Sequence, residues 1–307
     1  MQTILGANGQ IATELAKQLA RYYTTEITLV SRHPKRVNDT DCLVTADLMD
    51  PKQTADAVAG SSIVYLTAGL PMNTAMWQAQ WPIIMRNVID ACKLHQAKLV
   101  FFDNTYMYPQ TDEVLTESTV FSPFGQKGKV RGAITTMLLQ EIAADKIEAM
   151  ICRAPEFYGP GKTQSITNAT IFENIKMGKK PKVFLRDDKL RTLIFTPDAS
   201  RAMALLGNTN DAYNQTWHLP CDDQRLTYKQ FIALISDVYR KAIPYTVLAK
   251  WLLNIVALFD KNAKETLELL PRYQVDNLFD SSKFKKRFPK FEVTRYRAGI
   301  EQIKNEK

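Results

Sequence analysis

Near the start of a chain of 307 residues stands Ile4-Leu5-Gly6-Ala7-Asn8-Gly9-Gln10-Ile11-Ala12. An apolar strand end, a glycine-bearing turn and an apolar-periodic helix opening, in that order, bring backbone amides to a positively polarised helix N-terminus, where they can hold a pyrophosphate. Gly6 permits the tight turn and Gly9 lets the backbone come close to a ligand. Ala12 stands where a third glycine is usual, at a position that needs only a small side chain between helix and strand. A corner that binds nothing has the same spelling, so the elements that follow must decide its meaning.

Three further groups could do chemistry. Ser31-Arg32, with Lys35 and Arg36 close behind, ends the second apolar run, where a dinucleotide's ribose would be discriminated. An acidic residue there suits the 2′-hydroxyl of NAD, whereas Arg32 suits a 2′-phosphate, so NADP is expected in preference to NAD. Thr67-Ala68-Gly69 ends the fourth run with side chains small enough for a nucleotide to lie against the backbone. Asp103-Asn104-Thr105-Tyr106-Met107-Tyr108 follows the fifth and offers an amide and two phenols. The two tyrosines alternate across a strand end, so one of them belongs to the core.

The elements that position these groups are legible as alternation. Strands are expected at Glu26–Val30, Cys42–Ala46, Ser62–Leu66 and Lys98–Phe102. A helix follows the glycine turn with Leu15 and Leu19 inward. Another opens at Asp50-Pro51, a cap followed by proline at the first helical position, and a long one runs through Trp81, Val88 and Ala91. Such alternation predicts an α/β fold, a Rossmann-like doubly wound parallel sheet whose ligands sit beyond the carboxyl ends of its strands. Asp47, Thr67, Ala68, Asn104 and Tyr106 then share one edge.

Composition excludes little but points the same way. At 45% hydrophobic and 23% charged residues the chain reads as an ordinary globular protein, and its net charge of +8 suits an anionic ligand. Basic balance without a recognition motif does not indicate nucleic acid, and none is expected. Cys42, Cys92, Cys152 and Cys221 have neither metal-ligand spacing nor disulfide density and read as reduced thiols in a cytoplasmic protein with no metal site. His33, His95 and His218 are scattered and suggest no triad. The apolar segment Trp251 to Phe259 is too short to span a bilayer, so no membrane partner is expected.

The matching pieces resemble the short-chain dehydrogenase/reductase superfamily, in its extended or atypical branch of NAD(P)-dependent sugar epimerases and dehydratases. They are the Gly6-Ala7-Asn8-Gly9 turn, Ala46-Asp47-Leu48, Leu66-Thr67-Ala68, the run from Asp103 to Tyr108, and Arg153-Ala154-Pro155-Glu156-Phe157-Tyr158-Gly159-Pro160-Gly161. Weaker echoes lie at Phe195-Thr196-Pro197-Asp198-Ala199 and Asp280-Ser281-Ser282-Lys283-Phe284. The resemblance implies a cofactor edge formed by Gly6, Asn8, Gly9, Gln10, Ile11, Arg32, Asp47, Leu48, Thr67, Ala68, Gly69 and Lys127. It also implies a nucleotide sugar or similar small molecule as substrate.

In that family a Ser or Thr follows the fifth strand, and a Tyr with a Lys four residues later transfers the proton that accompanies hydride transfer, both on one helical face. Here Asn104 takes the serine position. In Ser122-Pro123-Phe124-Gly125-Gln126-Lys127-Gly128, one register puts Pro123 and Lys127 at the pair, and a slip by one puts Phe124 and Gly128 there. Neither register retains the tyrosine. Three readings stay open: an enzyme with a noncanonical site in which Tyr106, Tyr108 or Tyr158 supplies the proton, with Asn104 and Lys127 beside it; an NADP(H)-binding redox sensor or regulator without turnover; and a scaffold with a degenerate pocket. Tyr106 is the phenol best placed by sequence.

The dinucleotide-binding domain is read as residues 1–156, rejoined by about 191–218, and residues 157–307 as mainly a smaller, interleaved substrate lobe. In that lobe a helix is expected through Ile166 to Met177, the sheet is rejoined at Thr192–Phe195 and Gln215–His218, and helices run from Thr227 to Tyr239 and through Val247 to Leu258. The tail from Ser281 to Lys307 is basic and amphipathic. Lys182, Arg186 and Arg191 are candidates for a substrate diphosphate on charge alone. Family members often pair two helices between subunits, which implies a homodimer through Trp77–Leu94 and Lys127–Ala143.

Overall fold

A computed structural model describes residues 1–161 and 165–306; Lys307, the end of the expected tail, lies outside the described residues. The first half alternates as β1 (Gln2–Leu5), α1 (Gln10–Tyr22), β2 (Ile27–Ser31), β3 (Cys42–Thr45), α2 (Pro51–Val58), β4 (Ile63–Leu66), α3 (Thr74–Leu94), β5 (Lys98–Asp103), β6 (Val114–Leu115), α4 (Gly125–Ala143) and β7 (Ala149–Arg153). The second half continues with β8 (Glu156–Tyr158), α5 (Glu173–Lys176), β9 (Lys182–Phe184), β10 (Leu190–Arg191), β11 (Leu193–Phe195), α6 (Thr196–Gly207) and β12 (Gln215–His218). It closes with β13 (Leu226–Thr227), α7 (Tyr228–Tyr239), β14 (Thr246–Leu248), α8 (Lys250–Phe259), α9 (Lys261–Leu267), β15 (Leu278–Phe279), α10 (Ser282–Arg287) and α11 (Tyr296–Lys304).

Seven strands form one parallel sheet in the order β12-β7-β5-β4-β1-β2-β3. Strands β1 and β4, at its centre, bury all four of their residues, as expected of strands covered on both faces. Two apolar layers cover it. One joins Leu15, Leu19, Ala202 and Met203 of α1 and α6 to Ile4 and Leu29. The other joins Trp81, Met85, Val88 and Ile134 of α3 and α4 to Leu66, Leu99 and Phe101. The expected doubly wound Rossmann-like sheet is therefore the fold.

Differences lie in the second half. Thr192–Phe195 was expected to rejoin the main sheet, but β11 pairs in parallel with β8, which has turned away after Ala154-Pro155, and only β12 returns beside β7. The helix expected from Val247 starts at Lys250, because Thr246–Leu248 lies in parallel register against Lys182–Phe184. The helix expected from Ile166 contains a π-helical turn, Asn168–Phe172. A third apolar cluster, including Tyr158, Phe172, Phe195, Phe231, Tyr273, Tyr296 and Ile300, packs together elements of the second half.

Candidate functional site

The glycine turn is built as its spelling requires. Gly6 has φ +92° and sits so close to β4's end that a Cβ there would fall on the Ala68 backbone. Asn8 also holds a positive φ, 80°, which asparagine tolerates better than most residues. Its side chain donates to the His33 carbonyl at 2.7 Å and accepts the Lys35 amide at 2.8 Å, so the turn is tied to the loop that carries Arg32.

Gly9 differs from Gly6. Its backbone is ordinary and extended, and a Cβ would meet only the Gly6 carbonyl, at 3.7 Å, so nothing within the chain demands glycine there. It leaves open a cradle before α1, whose N-terminus has no side-chain cap and no acidic residue in its first turn. Uncapped amides and a positive helix end beside an open cradle fit a pyrophosphate. Gln10 donates to the Pro160 carbonyl and joins the turn to the Gly159-Pro160-Gly161 loop.

Along the same edge, Thr67 donates from both its amide and its hydroxyl to the Leu5 carbonyl, which fixes the β4 terminus against β1. Asp47 is exposed and accepts the Met49 amide at 3.0 Å, while Leu48 is nearly buried. Arg32 is exposed and enters no ion pair among the described residues.

Beyond β5, Asn104 accepts the Tyr106 amide at 2.9 Å, a side-chain turn that sets the direction of Tyr106. The Tyr106 ring stacks on Trp77 at 6.1 Å and 14°, and the Arg272 guanidinium lies 4.4 Å from its centre. Burial raises the phenol's pKa and Arg272 opposes it. Tyr106 is half-buried, whereas Tyr108 and Tyr158 are buried, which makes Tyr106 the most accessible of the three candidate phenols.

Tyr108 is the core tyrosine, and it belongs to a buried polar chain. Its hydroxyl meets Arg153 Nη1 at 2.5 Å and His218 Nε2 at 2.7 Å, while His218 Nδ1 meets the Asp280 carbonyl at 2.7 Å. Arg131 and Thr135 of α4 close the chain on Asp103 at the end of β5. Burial, and then Arg153, drive His218 down to about 3, so it is neutral here. Burial raises the Tyr158 phenol well above its ordinary value, and its hydroxyl has no partner among the described residues.

Lys127 lies at 0% exposure near the N-terminus of α4, and its surroundings come from far along the chain. The ammonium meets Glu265 Oε2 at 2.5 Å, Thr74 Oγ1 at 2.7 Å, the Glu265 carbonyl at 3.1 Å and Glu268 Oε2 at 3.4 Å. Glu265 also accepts from the Thr74 amide at 3.0 Å, and Glu268 accepts the Lys127 amide at 2.5 Å. Burial raises the Glu265 carboxyl, but hydrogen bonds from Lys127 and Thr74 outweigh it and hold it below its ordinary value. The cation over Tyr106 is thus Arg272, and Lys127 joins α3 and α4 to the segment around α9. Phe124, the aromatic residue before this helix, is the N-cap of α4 and is 53% exposed.

Two of the three diphosphate candidates have partners of their own. Arg191 is buried against Glu156 and the carbonyls of Arg272 and Val275, and Arg186 pairs with Asp188. Lys182 is exposed and unpaired among the described residues, at a cavity of about 320 Å³ lined by Phe184, Leu248, Leu253, Leu267 and Leu270.

The model of the NAD dependent epimerase/dehydratase family matches residues 3–218, which include the whole seven-stranded sheet apart from its first residue. The chain belongs to that family. A curated relative, the uncharacterised protein y4nL of Sinorhizobium fredii, is 24% identical over an alignment of 214 residues that covers 67% of this chain. The match spans 59% of that relative's length. Among solved structures, UDP-glucuronic acid 4-epimerase from Bacillus cereus in complex with NAD superposes with a TM-score of 0.79 at 14% identity, over 99% of each chain. UDP-N-acetylglucosamine 4-epimerase from Methanobrevibacter ruminantium in complex with UDP-N-acetylmuramic acid gives 0.78 at 16% identity, over 98% of this chain and 97% of that one. At such identities the likeness is one of fold.

No sequence signal marked Arg272, Glu265, Glu268 or the role of His218. Only His218 lay beside a recognised signal, the end of a strand on the functional edge. The others sit in the second half of the chain with no motif around them.

Proposed function

We propose that this chain is an NAD(P)-dependent oxidoreductase or epimerase/dehydratase acting on a sugar-like or sugar-nucleotide substrate, with Tyr106 handling the proton that the family assigns to the tyrosine before its lysine. The observation that carries the reading is an open glycine cradle at Gly9 together with a half-buried phenol, Tyr106, beyond β5 on the same edge of the sheet. Gly6, Asn8, Gly9, Gln10 and Ile11 would hold the pyrophosphate, with Asp47, Leu48, Thr67, Ala68 and Gly69 along the nucleotide. The dinucleotide supplies the acceptance, and for an epimerase the return, of a hydride. Arg32 favours a 2′-phosphate and hence NADP, against the NAD held by the Bacillus cereus epimerase.

Asn104 orients Tyr106 through its amide, and Arg272 places positive charge on its ring. A substrate oxygen within about 3 Å of the phenol would exchange its proton there. Lys127 acts in this proposal by holding α9 over the ends of α3 and α4, which keeps Arg272 and Tyr106 in register. A homodimer through α3 and α4 goes with this reading, to be checked by light scattering.

The test is product analysis by chromatography after incubation with NADP or NAD and a panel of UDP-sugars, beside nicotinamide absorbance. Product formed by the native chain and lost in Tyr106→Phe supports the reading. A second reading, a cofactor-binding regulator without turnover, is favoured by Phe124 at the start of α4. It predicts cofactor binding, no product from any sugar, and a protein partner retained differently with NADP and NADPH.

A further inference from the structure

Helix α8 turns only Leu253 and Ala257 inward, at 8% exposure each. Trp251 is 66% exposed, Leu258 78% and Phe259 87%, with Ile255 and Val256 exposed as well. Positions 251, 255, 258 and 259 recur at helical spacing, so they form one continuous apolar stripe on the outer side. A helix apolar on both faces is covered by something, and a stripe of this kind marks an interaction site. At about 15 Å, ten residues cannot cross a bilayer, and no helix among the described residues is long and apolar enough to do so.

The charges around the stripe identify its partner. Lys250 opens α8, and Lys261 and Lys264 follow on α9, all exposed. Strand β14, which leads into α8, lies against β9 with Thr246 opposite Lys182, and Lys179 and Lys180 come immediately before. None of these six lysines forms an ion pair among the described residues. The carboxylates of the same segment, Glu265 and Glu268, are turned inward to Lys127, and the exposed Asp260 accepts the Ala263 amide at the start of α9. The segment therefore carries exposed aromatic and aliphatic side chains between cations in the chain, Lys250 before them and Lys261 and Lys264 after them. A second copy docked on the same face by a two-fold axis would bring these lysines against their own kind.

We propose that α8 seats the second lobe on an anionic phospholipid surface. Trp251, Ile255, Leu258 and Phe259 enter the boundary between headgroups and acyl chains, and the lysines meet the lipid phosphates. This goes beyond the proposed chemistry and does not depend on it.

The test is flotation of the full chain with phosphatidylcholine vesicles, with and without phosphatidylglycerol, at low and high salt. Binding to the phosphatidylglycerol vesicles, weakened by salt, is expected. Trp77, Trp81 and Trp217 are already buried, so a blue shift of tryptophan fluorescence on adding vesicles reports Trp251. The triple variant Trp251→Ser/Leu258→Ser/Phe259→Ser changes only exposed positions. It should keep the native melting temperature and lose at least about tenfold in vesicle binding. Each of Lys250→Gln, Lys261→Gln and Lys264→Gln should weaken binding about fivefold. The proposal is overturned by absence of binding to anionic vesicles, by binding that survives the triple substitution, or by a solution dimer that the triple substitution abolishes.

Discussion

Replacing Lys127 by methionine probes the contact that joins α3 and α4 to α9. The ammonium is fully buried and meets Glu265, Glu268 and Thr74, while the two carboxylates are 25% and 17% exposed. Removing one member of a buried pair costs about 3–5 kcal/mol, because the other charge is left without compensation. Residual solvent at the two glutamates places the expected cost at the lower end, about 3 kcal/mol. Substituting the glutamates as well, in Lys127→Met/Glu265→Gln/Glu268→Gln, should return stability to within about 1 kcal/mol of native, since a buried ion pair is often replaceable by uncharged groups. Urea denaturation with unchanged m-values reads both quantities. A loss below about 1 kcal/mol for Lys127→Met, or single-variant costs that simply add in the triple variant, would show that Lys127 and the two glutamates are not a coupled buried ion pair. Were Lys127 instead a clamp on the cofactor, Lys127→Met would weaken dinucleotide binding and leave stability unchanged.

The two glycines of the turn should separate structure from binding. Gly6→Ala meets the Ala68 backbone at a positive φ and should unfold the chain or lower its melting temperature sharply, whereas Gly9→Ala should keep the native melting temperature and lose dinucleotide affinity in a fluorescence titration. Arg32→Asp should turn a preference for NADP into one for NAD by at least about tenfold in paired titrations, since a carboxylate would face the 2′-phosphate. His218 is depressed from 6.5 to about 3 by burial, so the folded state binds fewer protons than the unfolded state between those values. Its stabilising contribution is complete above pH 6.5 and falls as pH drops towards 3, a loss of about 2 kcal/mol by pH 5. His218→Gln should remove that part of the acid sensitivity in denaturation curves measured at pH 7 and pH 5.

Local spelling made the first half legible. Strand, glycine turn and helix are contiguous, and caps such as Asp50-Pro51 lie beside the helices they start, so Gly6, Asn8, Arg32 and Thr67 could be placed on one edge from neighbours alone. Lys127 could not, because its partners Glu265 and Glu268 lie 138 and 141 residues away. The same distance in sequence hid Arg272 from Tyr106 and His218 from Tyr108, which is 110 residues away. The strand Thr246–Leu248 looked helical because its apolar run continues into α8, and only the presence of β9 alongside makes it extended. Arg191 looked free for a phosphate because charge alone does not show that Glu156 is folded against it.

Tyr106 is the proposed proton donor and acceptor of a dinucleotide-dependent site. The most direct test of that role is turnover of the native chain and Tyr106→Phe on the UDP-sugar that yields product, with dinucleotide affinity measured on the same samples. Tyr106→Phe is expected to lose at least about 100-fold in turnover with cofactor affinity nearly unchanged. Equal turnover by the two proteins would contradict it.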